Sequence, residues 1–149
     1  MTLLVPFDGS DLAVAALERA RELADATGED LLAVTVVPDD VDYARDRGWL
    51  EPGDAFDGDL IERRLRQRVT DVAPDAEFRT EATRSAADPV ATLEMAVART
   101  VRATAAEVDA DVVVVGSENA GRVTTPLTSV GSPVSEDPRY DVYIVRHRE

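Results

Sequence analysis

Residues 111–117 read Asp-Val-Val-Val-Val-Gly-Ser, and the valines from Val112 to Val115 are the most strand-like run in the chain. An unbroken run of β-branched residues needs cover on both faces, which is the pattern of a strand inside a parallel sheet. The run stops at Gly116-Ser117. Glycine returns at Gly121-Arg122 and, after nine intervening residues, at Gly131-Ser132. Positions without a side chain let backbone amides approach an anion closely, and a helix beginning after such a loop adds further free amides. The spacing alone is a weak motif; its place directly after a buried strand makes it informative.

Working outward, the chain alternates strands with helices. Thr2 to Phe7 is a short strand ended by Asp8-Gly9. Ser10 can cap a helix that puts Ala13, Ala16, Leu17, Ala20, Leu23 and Ala24 on one face, and Gly28 stops it. Leu31 to Val37 is a second strand closed by Pro38. Asp59 to Val72 is a helix with Ile61, Leu65, Val69 and Val72 inward, while Arg63, Arg64, Arg66 and Arg68 form a solvated face paired with nearby carboxylates. Glu77 to Ala82 alternates like an edge strand. Asp88-Pro89 starts a helix whose stripe is Val90, Leu93, Val97, Val101 and Val108, with Met95 as core filling. Asp111 to Gly116 and Asp141 to Arg146 are the last two strands. This order predicts one α/β domain over residues 1–149, with a doubly wound parallel sheet and helices on both faces.

Between Asp39 and Gly58 the chain is polar and turn-rich, yet it carries Tyr43, Trp49 and Phe56, three of the seven aromatic residues. A loop of this length in a small domain calls for a reason. Two stand open: the rings plug an edge of the core, or the segment is a lid over a ligand.

Composition removes whole classes of chemistry. There is no cysteine, so no redox dithiol and no thiolate metal site, and a single histidine, His147, makes imidazole zinc sites and Ser-His-Asp hydrolysis hard to build. All 16 basic residues are arginine. Without lysine, P-loop nucleotide hydrolysis, Schiff-base chemistry and phospho-receiver function are set aside. The net charge of -14 repels nucleic acid and anionic membranes, and it destabilises the compact state unless salt screens it. At about 1 M salt the Debye length falls to about 3 Å. This balance points to a halophilic origin. With no signal-like N-terminus and no run long enough to span a membrane, a cytoplasmic location is expected.

In an open parallel sheet, ligands sit beyond the carboxyl ends of the strands where strand order reverses. Pro6-Phe7-Asp8-Gly9-Ser10, Val36-Val37-Pro38 and the segment from Gly116 to Ser132 converge there. The end of the second strand can offer backbone groups to a base, Asp8 can take a ribose hydroxyl or a divalent cation, and the glycine loop can take phosphates.

With these motifs the chain resembles the universal stress protein family. VPFDGS is similar to that family's first strand and acidic turn, TVVP to the end of its second strand, and VVVVGS with the later Gly-Arg and Gly-Ser to its nucleotide motif. The resemblance spans essentially the whole length. It implies a five-stranded sheet in the order 3-2-1-4-5, a homodimer through strand 142–146, and, in one branch of the family, bound ATP, with Mg2+ or Mn2+ beside it. On that resemblance Pro6 and Val36 would line the base, Asp8 would serve ribose or metal, and Gly116, Gly121, Arg122, Gly131 and Ser132 would hold phosphates.

The chain departs from the family pattern near the loop. Four residues separate Gly116 from Gly121 where the family has two, and Glu118 brings a carboxylate towards the phosphates. Pro133 removes a backbone donor, and Pro138 limits the family's last helix to about a turn. Losing two or three charge-assisted hydrogen bonds of about 1.5–3 kcal/mol each turns micromolar into millimolar affinity. Arg122 acts the other way if its fork takes a phosphate instead of Glu118 or Asp8.

Two functions follow from this reading. One is an adenine-nucleotide-binding stress sensor that hydrolyses ATP slowly at most, since no residue stands out as a general base. The other is a module of the same fold, without nucleotide, that works through dimerisation and an unidentified protein partner. A dinucleotide oxidoreductase or an adenylating PP-loop enzyme would need a glycine-rich signature after the first strand that Asp8-Gly9-Ser10-Asp11 does not supply.

Overall fold

The computed structural model describes residues 2–83, 93–117 and 140–146. Its elements are β1 (Thr2–Pro6), α1 (Asp11–Thr27), β2 (Asp30–Val36), α2 (Val41–Asp46), α3 (Gly58–Val72), β3 (Glu77–Glu81), α4 (Leu93–Glu107), β4 (Ala110–Gly116) and β5 (Asp141–Val145). The five strands form one all-parallel sheet in the order β3-β2-β1-β4-β5. Leu4 at the centre of β1 stands between Leu32 of β2 and Val113 of β4. The expected strand order therefore holds.

The local chemistry explains why the elements lie where they do. Ser10 caps α1, its Oγ accepting the Ala13 N–H at 3.2 Å, and Gly28 closes the helix with φ 74°. Asp57 caps α3 in the same way through Leu60 N–H. Right-handed crossovers put α1 and α3 on one face of the sheet, and the return from β3 to β4 places α4 on the other. The central strands are covered on both sides, which is why Leu4, Val5, Val113 and Val114 are fully buried. Arg66 of the solvated α3 face pairs with Glu62 at 2.6 Å. Among the described residues, no helix is long and apolar enough to cross a membrane.

The segment between β2 and α3 differs from a plain loop. Asp40 accepts the Tyr43 N–H at 2.9 Å and so caps α2, a helix of six residues that the polar sequence conceals. Tyr43, Ala44, Trp49 and Leu50 are buried, and Phe56 packs partly against the core. Tyr43 and Trp49 thus lie inside the protein, over the carboxyl ends of β1 and β2.

Candidate functional site

The first turn is built around Asp8. Its carboxylate accepts the Ser10 N–H at 2.9 Å, a local bond that folds the chain from β1 into α1. Gly9 adopts φ 81°, a left-handed conformation that favours glycine, and the mobile end of the Arg68 side chain lies 2.9 Å from where a Cβ would stand. Among the described residues no donor meets the other Asp8 oxygen. Phe7 behind the turn is buried and fixed at both ends: its N–H donates to the Val34 carbonyl at 2.8 Å, and its carbonyl accepts from Thr35 Oγ1 at 2.5 Å.

Pro6 and Asp8 meet Val36 across a hollow at the strand ends, as expected. Its wall also includes Thr35, Tyr43 and Trp49, with Val97 and Val101 of α4 closing the far side. The volume left among the described residues is about 30 Å3, room for a water or two. A purine does not fit beside the indole. Trp49 is 4% exposed, and its Nε1–H donates to the Asp8 carbonyl at 2.8 Å. Tyr43 meets Trp49 edge-on, with ring centroids 5.7 Å apart.

Arginines hold this aromatic pair from outside. Arg64 Nη1 donates to the Trp49 carbonyl at 2.8 Å. The Arg47 guanidinium lies 3.4 Å above the Tyr43 ring centre and reaches Glu94 of α4, also at 3.4 Å. Sequence reasoning placed Arg64 on a solvated face and did not single out Thr35, Arg47 or the Trp49–Asp8 bond. The signal for the last was present: three aromatic residues in an otherwise polar segment.

Gly116 has a packing role beside the one carried over from the resemblance. It ends β4 against α1, where an added Cβ would lie 2.8 Å from the Leu12 Cβ and 3.3 Å from the Leu12 carbonyl group. Close packing of strand on helix requires a residue without a side chain here. Gly121, Arg122, Gly131 and Ser132, with Glu118, Pro133, Asp88-Pro89 and His147, lie outside the described residues. Among the described residues no group of three or more His, Cys, Asp or Glu could hold a metal ion.

A model of the family described as "Universal stress protein family" matches residues 1–146. The chain belongs to the universal stress protein family. Among solved structures it is similar to a universal stress protein in complex with cAMP, at 25% identity over 100% of this chain and 98% of that one, with a TM-score of 0.54. It also shares the fold of the stress protein UspA from Lactobacillus plantarum, at 19% identity over 98% and 97% of the two chains and a TM-score of 0.53. A universal stress protein from Archaeoglobus fulgidus, solved with dAMP, matches at 16% identity over 97% and 96%, with a TM-score of 0.55. No curated protein matches the chain at a significant level. The hollow beside Asp8 lies at the carboxyl ends of β1 and β2, next to the point between β1 and β4 where the strand order reverses.

Proposed function

We propose that this stress protein binds an adenine nucleotide, ATP in the first instance, at the carboxyl ends of β1, β2 and β4, and acts as a stress sensor with slow hydrolysis at most. The observation that carries this reading is the Asp8 turn facing Pro6 and Val36 across a hollow at the carboxyl ends of β1 and β2, beside the switch point. Membership of the family and the likeness to the cAMP-bound protein support it. In this proposal Asp8 takes a ribose hydroxyl or a Mg2+ ion shared with phosphate oxygens. The backbone of Val36 meets the base. Gly121, Arg122, Gly131 and Ser132 hold the phosphates, and Gly116 supports their loop by packing. The protein acts as a single stress protein domain in the cytoplasm, pairing with a second copy through β5.

Two observations bear on this reading. The open edge of β5 carries Tyr143 and Ile144, 38% and 36% exposed, which suits an apolar interface between copies. The filled hollow favours a second reading, an interaction module that has given up nucleotide. Thermal melting in molar KCl separates the two readings. ATP with Mg2+ at millimolar concentration raises the melting temperature of the wild type under the first, and Asp8→Ala reduces the rise; an unchanged melt supports the second.

A further inference from the structure

We propose that residues 41–50 form a built-in plug of the cleft: the Trp49 indole stands in the place of the base and must leave before a purine is admitted. This rests on the nucleotide reading above. The volume beside Asp8, about 30 Å3, is too small for a base while the indole is in place. The indole is anchored to the main-chain carbonyl of Asp8 through its Nε1–H at 2.8 Å, at the turn whose carboxylate a ribose would use. A nucleotide and Trp49 therefore compete for one region of the strand ends.

The plug is built to detach as a unit. α2 has six residues, well short of the length at which a helix is stable by itself. Side-chain clasps hold it: Arg47 bridges Tyr43 to Glu94 of α4, and Arg64 binds the Trp49 carbonyl. The Arg47 and Glu94 side chains are 18% and 60% exposed, so salt reaches one end of that clasp. Opening exposes apolar rings, so the closed form dominates without ligand, and the apparent nucleotide affinity is the intrinsic one scaled by the open fraction.

Trp49 is the single tryptophan, so its emission reports its own position. Mg2+–ATP is titrated into the full chain in molar KCl, with emission and calorimetry followed together, and the titration is repeated on Trp49→Ala, Trp49→Phe and Arg47→Gln. The expected result is a red shift that saturates with nucleotide, and affinity about tenfold or more tighter in Trp49→Ala. Arg47→Gln, which keeps the indole, gains a few-fold and carries the comparison if Trp49→Ala does not fold. Trp49→Phe, lacking the N–H, falls between Trp49→Ala and the wild type. Binding by the wild type with unchanged emission, and no gain in the folded variants, overturns the plug and leaves the nucleotide reading standing. No binding by any folded form overturns both.

Discussion

Replacing Gly116 with alanine asks whether this glycine belongs to the packing of α1 on β4. A new methyl would sit 2.8 Å from the Leu12 Cβ and 3.3 Å from its carbonyl carbon and oxygen. These atoms belong to the first turn of a capped helix and cannot swing aside as a flexible side-chain end would. Overpacking of this kind costs about 1–3 kcal/mol. Against it stands the backbone entropy of glycine in a strand, whose removal returns about 0.5–1 kcal/mol. The net expectation is a loss of about 1–2 kcal/mol. For a domain of this size that lowers the melting temperature by roughly 2–8 °C. The assay is thermal unfolding by circular dichroism in molar KCl, on protein stripped of nucleotide, so that ligand binding contributes nothing to the difference. A Gly116→Ala melt at or above that of the wild type would refute the packing argument.

Thr35→Val removes the donor to the buried Phe7 carbonyl and keeps the shape; it is expected to cost about 1–3 kcal/mol in chemical denaturation, through a lower midpoint at constant slope. Tyr140 is held above the ordinary phenol value of 10.0 by burial, with the Arg102 charge pulling the other way. The folded protein thus keeps this proton above pH 10 where the unfolded chain has lost it, so this group's contribution is intact at neutral pH and stability falls as pH rises beyond 10. Ultraviolet difference titration against Tyr140→Phe reads that ionisation, and Arg102→Gln is expected to move it further up. The charge of -14 is expected to make stability rise with KCl, by about 5 °C or more between 0.1 and 1 M, in a calorimetric scan.

Much of the fold was legible because each signal had one local cause. The valine run could only be a doubly covered strand, and Ser10 and Gly28 marked the ends of α1 to the residue. The site was harder to read. Pro6, Asp8 and Val36 do share a wall, since strand ends in a parallel sheet converge by topology. What fills the space between them depends on Trp49, 41 residues away from Asp8 in sequence, through a bond that no periodicity encodes. α2 escaped because its six residues bury only Tyr43 and Ala44, with Val41 partly packed on the core, too few for a helical stripe. Gly116 shows a further ambiguity: a glycine ending a strand reads the same whether it makes room for a phosphate or for Leu12. Arg64 belonged to a basic helix face that looked wholly solvated, and only the packed position of Trp49 shows its guanidinium tied to a carbonyl.

Equilibrium binding of Mg2+–ATP by the intact chain in molar KCl tests the proposed function most directly. Saturable binding of one nucleotide per chain, with a dissociation constant between the micromolar and millimolar ranges and weakened by Asp8→Ala, is the expected result. A flat titration up to several millimolar, with the protein folded throughout, would contradict it.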